Sequence, residues 1–169
     1  MFSTIIKTER LLLRPFERKD ITPTLAMEQN PAINQYTNDG GIKTRAAVTE
    51  LLETLIEVDY QEYGFGRFAL EWKATGEFIG FCGLKFLKVS NEVDLGYRLK
   101  MKYWGMGLAT EAAQASVKFG FDDLQLEKIV AFILPENKQS QRVLEKLNFV
   151  WEEAFVEDGA LIHKFELRR

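Results

Sequence analysis

The stretch from residue 93 to residue 121 constrains the fold of this chain most, because its apolar spacing changes from the period of a strand to that of a helix. Val93–Leu99 (VDLGYRL) alternates as a strand does. One predicted face carries Val93, Leu95, Tyr97 and Leu99, and the other carries Asp94, Gly96 and Arg98. The helix that follows places Ala109, Ala112, Ala113, Val117 and Phe121 at helical spacing. Gly96 in mid-strand predicts a bulge or a close backbone approach.

Between the strand and the helix lies a glycine-rich turn, Trp104-Gly105-Met106-Gly107-Leu108-Ala109. Glycine lets a backbone approach a ligand closely, and a helix start offers free N–H groups and the positive end of the helix dipole. The turn therefore suits a pyrophosphate, although an ordinary strand-to-helix turn also favours glycine. A P-loop is excluded, because Gly107 is followed by Leu108 and not by Lys-Ser or Lys-Thr. A dinucleotide fingerprint would need a glycine near Thr110 and an acidic residue that ends the next strand, whereas Glu127 precedes that strand.

Other apolar patterns predict strands before and after this stretch. They lie at Thr8–Pro15, Phe65–Lys73, Phe78–Leu87, Ile129–Leu134 and Leu161–Leu167, and a turn at residues 74–77 joins the second to the third as a hairpin. The stretches 34–43 and 150–159 are interpreted as loops.

Three helices are predicted besides the one after the glycine-rich turn. They lie at Ile21–Tyr36 with interruptions at Pro23 and Pro31, at Arg45–Asp59 and at Ser140–Leu147. The apolar stripe of the second consists of Ala47, Val48, Leu51, Leu52, Leu55 and Ile56. Thr44 is its expected N-cap, and Asn148 is the expected left-handed residue after the third helix. The order of elements predicts a mixed sheet covered by helices.

Length and composition predict a single domain over residues 1–169, because 46% of the residues are hydrophobic and can bury one sizeable core. The only cysteine, Cys82, has no partner for an internal disulfide, and no stretch is typical of a secretory signal or a membrane span. A cytoplasmic protein is therefore expected. The net charge of −3 is spread without a basic block, which speaks against a nucleic-acid partner. The sequence is compatible with a homodimer.

Residues 103–112 (YWGMGLATEA) carry a resemblance to a known family. They match without a gap the pattern Tyr-Trp-Gly-x-Gly-x-Ala-Thr-Glu-Ala of the ribosomal-protein N-acetyltransferase (RimJ/RimL-like) branch of the GNAT acyltransferase superfamily. Trp104 stands where the general superfamily motif has Arg or Gln, as in that branch. Further similar segments are TERL and LRP within residues 8–15, TGEFIG at 75–80, GL at 83–84 and the Asn-x-x-Ser…Glu-Lys-Leu…Phe segment at 137–149, where Asn148 replaces the usual glycine.

The resemblance implies an α+β GNAT fold, whose central mixed, mostly antiparallel sheet is flanked by helices and splayed between Val93–Leu99 and Ile129–Leu134. It also implies acetyl-CoA as co-substrate in that gap, with an amine acceptor approaching from the opposite side. The implied cofactor-binding residues are Tyr97, Leu99, Trp104, Gly105, Met106, Gly107, Leu108, Ala109, Thr110, Asn137 and Ser140.

Acetyl transfer in this family resembles direct attack of a neutral amine on the thioester within a ternary complex, which needs alignment, oxyanion stabilisation and a proton acceptor. Asp94 is the candidate base, acting through water, although the branch commonly has Glu there. The alternative is an ion pair with Arg98. Ser140 resembles the residue beside the CoA thiol and is the candidate general acid; the alternative is a helix N-cap. Asn137 resembles a ligand of the pantetheine or the substrate; the alternative is a loop residue.

Two further residues are interpreted as structural. His163 lies in a terminal strand without a partner in the sequence, and Cys82 lies in an apolar segment. No His, Cys and carboxylate cluster has metal-ligand spacing, so no metal is predicted.

The acceptor is expected to be a protein N-terminal α-amine. At pH 7 a lysine amine needs about 4–5 kcal/mol to become neutral, whereas an α-amine needs roughly 1 kcal/mol, so the α-amine suits a weakly tuned carboxylate. The alternatives are a small-molecule amine and a non-catalytic acyl-CoA-binding or sensing module.

Overall fold

The computed structural model describes residues 2–37 and 43–169. Its strands are β1 (Ile6–Lys7), β2 (Leu11–Pro15), β3 (Arg67–Trp72), β4 (Glu77–Leu87), β5 (Glu92–Leu99), β6 (Lys128–Ile133), β7 (Val150–Glu157) and β8 (Ala160–Arg168). Its α-helices are α1 (Ile21–Glu28), α2 (Pro31–Asn34), α3 (Arg45–Thr54), α4 (Leu108–Asp122) and α5 (Lys138–Lys146). The strands form one sheet in the order β1-β2-β3-β4-β5-β6-β8-β7.

The sheet is antiparallel except where β5 lies beside β6. These two strands are parallel and are bridged only at Asp94 and Val130. Beyond that point each is paired on its far side, β5 with β4 as far as Leu99 and β6 with β8 as far as Ile133. The predicted mixed, mostly antiparallel sheet that splays between these two strands is confirmed.

An ion-pair cluster ties β5 and β6 together where they begin. The Glu92 carboxylate lies 2.8 Å from Lys128 Nζ and 2.9 Å from Lys164 Nζ. Burial opposes ionisation of Glu92, but hydrogen bonds from the two lysines outweigh it and lower the pKa of the carboxyl. The cluster therefore stabilises the closed end of a strand pair whose other end is open.

Helix α4 covers one face of the sheet with a packed surface that consists largely of small residues. Ala112 and Ala113 are fully buried, so the helix backbone lies close to strand residues such as Phe68 and Leu84. On the other face, α3 and the π-helical segment Leu55–Tyr63 that continues it pack a second apolar cluster around Tyr60. The sheet thus carries helices on both faces.

The predicted helix 45–59 needs two corrections. Thr44 is its N-cap as predicted, with Oγ1 accepting a hydrogen bond from Ala47 N–H at 3.2 Å. The α-helix ends at Thr54, however, and the π-helical turns run to Tyr63. The buried stripe is also narrower than predicted, because Ala47 is exposed and Leu51 is 43% exposed.

The interpretation of the stretch 150–159 as a loop is wrong, because β7 and its turn into β8 occupy it. Strand β7 lies at the edge of the sheet and is exposed along almost its whole length, with Trp151 57% exposed. A strand without a buried face needs no apolar alternation, so its sequence lacks the usual signal. The other predicted loop, 34–43, falls partly on residues 38–42, which lie outside the described residues.

One predicted strand and one predicted helix also begin at other residues than expected. The strand predicted at Thr8–Pro15 is β2 and begins at Leu11, because residues 8–10 form a turn in which Thr8 Oγ1 accepts a hydrogen bond from Leu11 N–H at 3.0 Å. The late helix begins at Lys138 instead of Ser140. Asn148 is left-handed as predicted, with a φ of 64°.

Candidate active site

A cavity of about 630 Å³ opens between β5 and β6 and extends to the start of α4. Of the residues predicted to bind cofactor or to act in catalysis, all but one line it: Asp94, Tyr97, Leu99, Trp104, Gly105, Gly107, Leu108, Ala109, Thr110, Asn137 and Ser140. The exception is Met106, which is 43% exposed and is not part of the lining. The gap and the glycine-rich turn are therefore parts of one site.

The glycine-rich turn owes its shape to two left-handed residues. Gly105 has a φ of 71°, and Gly107, the N-cap of α4, has a φ of 77°. A Cβ on Gly105 would meet nothing within 4 Å, so conformation and not crowding requires glycine here. The first helical hydrogen bond runs from Glu111 N–H to Gly107 C=O at 3.1 Å. The N–H groups of Leu108 and the next two residues, in the first helical turn, thus have no partner within the helix and can bind an anion.

Hydrogen bonds fix this turn to the end of β5 and to the start of β4. Trp104 Nε1 donates to the Leu99 carbonyl at 2.8 Å, and Tyr103 Oη donates to Glu77 Oε2 at 2.8 Å. Lys100 and Lys102 also pair with Glu77, and these hydrogen bonds lower its pKa to about 2. The turn is thereby held at the open end of the β5–β6 gap.

The alternative Asp94–Arg98 ion pair is wrong. Four residues along a strand separate two side chains by roughly 13 Å, which is beyond the reach of this pair. Arg98 instead binds Glu28 of α1, with Nη1 2.6 Å from Oε2, and Glu28 is almost fully buried. Asp94 binds Arg67 of β3, whose Nη2 lies 2.6 Å from Asp94 Oδ2.

Gly96 makes room for that contact. The register of β5 with β4 is continuous, so the predicted bulge is absent from this pair, and Gly96 lies opposite Gly83. A Cβ on Gly96 would lie 2.6 Å from Arg67 Cζ. The close approach at Gly96 is therefore made by the Arg67 side chain, which crosses β4 toward Asp94 and also donates to the Asp94 carbonyl at 3.0 Å.

Asp94 lies at the vertex of the cleft, where β5 and β6 are still bridged. Its side chain is only 14% exposed. Burial raises the pKa of Asp94, and the Arg67 guanidinium opposes this shift without cancelling it. A carboxylate with a raised pKa is a better proton acceptor at neutral pH than an ordinary aspartate.

Asn137 and Ser140 stand together on the β6 side of the cavity. Asn137, interpreted alternatively as a loop residue, is the N-cap of α5, and its Oδ1 accepts a hydrogen bond from Ser140 N–H at 3.1 Å. The alternative interpretation of Ser140 as the N-cap is therefore wrong. Tyr97 Oη donates to the Ser140 carbonyl at 3.3 Å, which links α5 to β5 across the cleft.

Sequence reasoning missed several residues of the cavity. Glu157 at the end of β7 gives the lining a second carboxylate, and Phe81, Ile33 and Tyr36 give it apolar surface. Their positions depend on tertiary contacts that no local pattern encodes. Glu157 could have been noticed only as an acidic residue before the Asp158-Gly159 turn.

Cys82 and His163, both interpreted as structural residues, lie in strands β4 and β8. Cys82 is fully buried, and desolvation raises the pKa of its thiol to about 11. His163 lies in β8 opposite Ile133. In residues 2–37 and 43–169, no three His, Cys, Asp or Glu side chains come together as a metal site. No helix in the same residues has both the length and the apolar run needed to cross a bilayer.

A mixed sheet that opens between two parallel strands over a glycine-rich helix start defines the class of acyl-CoA N-acyltransferases. Residues 10–150 match the model of the acetyltransferase (GNAT) domain family. The chain belongs to this family and is an acetyl-CoA-dependent N-acetyltransferase.

Individual relatives agree with this assignment. An uncharacterized N-acetyltransferase, p20 of Bacillus licheniformis, is 31% identical over 84% of this chain and 80% of its own length. A GNAT-family acetyltransferase structure from Bacillus anthracis superposes with a TM-score of 0.83, at 25% identity over 98% of both chains.

The names of two other similar proteins state which acceptor each of them acetylates. Spermidine N(1)-acetyltransferase of Escherichia coli K12 is 28% identical over 90% of this chain and 76% of its own length. The ribosomal L7/L12 α-N-protein acetyltransferase RimL, solved with coenzyme A, superposes with a TM-score of 0.82 over 98% of both chains. At 15% identity the second likeness concerns the fold alone.

Proposed function

We propose that this enzyme transfers the acetyl group of acetyl-CoA to the N-terminal α-amine of a protein by direct attack in a ternary complex. One observation carries the proposal: a single cavity joins the start of α4, the open β5–β6 gap and the carboxylate of Asp94. The cofactor pyrophosphate would bind the free N–H groups at the start of α4, and the pantetheine would run along the gap. The thioester would then lie near the vertex, where Asp94 and Ser140 act on it.

The two catalytic residues have separate tasks in this scheme. Asp94 accepts the amine proton through water, since its raised pKa brings its proton affinity closer to neutral pH. The Ser140 hydroxyl assists departure of the CoA thiolate, and it is free for this task because Asn137 caps α5. Asn137 in turn fixes the backbone of Ser140 beside the cleft.

The charges of the lining favour an α-amine over a polyamine. Among the described residues, the cavity has two carboxylates, Asp94 and Glu157, and four cationic side chains, Arg67, Arg98, Arg142 and Lys146. A polyamine carries several positive charges and needs a matching excess of carboxylates. A single α-amine needs one acceptor and is neutralised at low cost near neutral pH.

A small-molecule amine is the second candidate acceptor, because the E. coli relative is a spermidine acetyltransferase. Placement in the RimJ/RimL-like branch supports the protein acceptor and rests on the match at residues 103–112. A cytoplasmic location and a homodimer remain predictions from the sequence.

The acceptor is tested by CoA thiol release with three matched acceptors: a peptide with a free α-amine, the same peptide Nα-blocked with one lysine, and spermidine. The free α-amine peptide should give kcat/KM at least about tenfold above the other two, a difference of about 1.4 kcal/mol. A higher kcat/KM for spermidine would show that the acceptor is a small-molecule amine and would leave the assignment as an N-acetyltransferase unchanged. Binding of acetyl-CoA without turnover of any acceptor would favour an acyl-CoA-binding module.

A further inference from the structure

The turn that precedes β2 is bonded to the glycine-rich turn nearly a hundred residues later. Arg10 Nη1 donates to the Met106 carbonyl at 2.9 Å, and Arg10 Nε donates to Glu111 Oε2 at 2.7 Å. Glu111 Oε1 also accepts from Arg10 N–H at 2.8 Å and from Thr8 Oγ1 at 2.6 Å. Four hydrogen bonds thus connect one short segment to the start of α4.

The Met106 carbonyl has a special position, because Met106 lies between the two left-handed glycines. A carbonyl oxygen that turned toward a pyrophosphate would repel it and disorder the N–H groups that bind it. The hydrogen bond from Arg10 fixes the direction of this carbonyl. The Arg10 side chain is 35% exposed, and its Nη2 would lie 3.6 Å from a Cβ on Gly107.

Glu111 places a negative charge in the first turn of α4, where the proposed anion would bind. Burial opposes ionisation of Glu111, but hydrogen bonds from Thr8 and Arg10 outweigh it and lower the pKa of the carboxyl. The residue is therefore an anion at neutral pH. Without the Arg10 guanidinium, its charge would oppose binding of a second anion at the same helix start.

We propose that Arg10 is a positioning residue for the pyrophosphate of acetyl-CoA, which it serves by holding the Met106 carbonyl and by neutralising Glu111. This inference rests on the proposed function, since it assumes that the cofactor pyrophosphate lies at the start of α4. Thr8 and Arg10 belong to the TERL segment, whose resemblance to the family gave them no role.

The test compares CoA binding by calorimetry in wild type, Arg10→Gln and the double variant Arg10→Gln/Glu111→Gln. Arg10→Gln should raise the Kd for CoA about tenfold or more, as expected for loss of a charge-assisted contact. The double variant should recover part of that loss, because the unmasked carboxylate is gone. Arg168→Gln is the matched control: it breaks an Arg–Glu pair with Glu166, 2.9 Å long, and should leave CoA affinity unchanged.

Acetyl-pantetheine, a thioester donor without pyrophosphate, separates positioning from general structural damage. Arg10→Gln should leave kcat/KM for acetyl-pantetheine within about twofold of wild type. An equal loss with both donors, or an unchanged Kd for CoA, would overturn the inference. Should Arg10→Gln fail to fold, Arg10→Lys should show the same donor-dependent loss at smaller size, and its absence would overturn the inference equally. Failure of wild type to bind CoA would instead overturn the proposed function as well.

Discussion

At the scale of single residues, the basicity of Asp94 depends on which cationic side chain pairs with it. Arg67 reaches it from β3 across two glycines, Gly83 and Gly96, that lie opposite each other in the sheet. The arrangement keeps a buried carboxylate paired while burial still raises its pKa. An aspartate whose ion pair fully compensated its burial would be a weak base. An unpaired buried aspartate would be costly to ionise.

The role of Asp94 is tested by Asp94→Asn. Below the pKa of the amine, loss of the base should lower kcat/KM about 100-fold, a typical contribution of general base catalysis. The loss should shrink as pH rises, because the free amine becomes abundant and needs less help. The measurement is a pH–rate profile with acetyl-CoA saturating, together with the Kd for CoA, which should change little.

Glu157→Gln is the matched control, since it removes the other carboxylate of the cavity. Its profile should run parallel to that of wild type. A parallel profile for Asp94→Asn as well would remove Asp94 from the mechanism. A pH-dependent loss in Glu157→Gln alone would assign the base to β7 instead of β5.

At the scale of elements, the site exists because β5 and β6 are joined at one end and apart at the other. The Glu92 cluster stabilises the joined end, and the Trp104 and Glu77 hydrogen bonds hold the turn at the open end. The open stretches of the two strands leave backbone groups facing the cavity, where amide groups of a ligand can satisfy them.

The Glu92 cluster makes a pH-dependent contribution to stability. The pKa of Glu92 is lower in the folded protein than its ordinary value of 4.5, so its contribution is present above that value and is lost as pH falls through the folded pKa. Glu92→Gln should therefore lower the free energy of unfolding by about 1–2 kcal/mol at pH 7 and by less at pH 3. Urea unfolding at both pH values measures the difference.

Asp122→Asn is the control for this prediction. Asp122 pairs with Lys118 on the exposed side of α4, and such pairs add little to stability. Its unfolding curve should stay close to that of wild type at pH 7. Equal destabilisation by Glu92→Gln at both pH values would show that the ionised form of Glu92 contributes nothing.

At the scale of the whole molecule, the sequence predicts the parts of the site that are local in the chain. The strand Val93–Leu99, the turn with its two left-handed glycines and the helix that follows lie within some thirty residues, and their periodicities and glycines are visible there. The splay of the sheet came from the family resemblance that this local pattern supports. The structure agrees with both.

The contacts that complete the site could not be predicted in this way. Arg67 lies 27 residues from Asp94, and Glu28 lies 70 residues from Arg98, so only the folded sheet reveals these partners. Asp94 and Arg98 share a strand face, which makes them a pair in the sequence, but their separation along the strand prevents the contact.

A crystal structure of the chain with coenzyme A tests the central claim most directly, because it locates each part of the cofactor. Pyrophosphate oxygens are expected at hydrogen-bond distances of about 2.7–3.2 Å from backbone N–H groups between Gly105 and Thr110. The pantetheine is expected between β5 and β6, with the thiol on the side of Asp94 and Ser140. CoA bound outside the β5–β6 gap, or within the gap with its pyrophosphate away from the glycine-rich turn, would refute the proposed acetyl-CoA site.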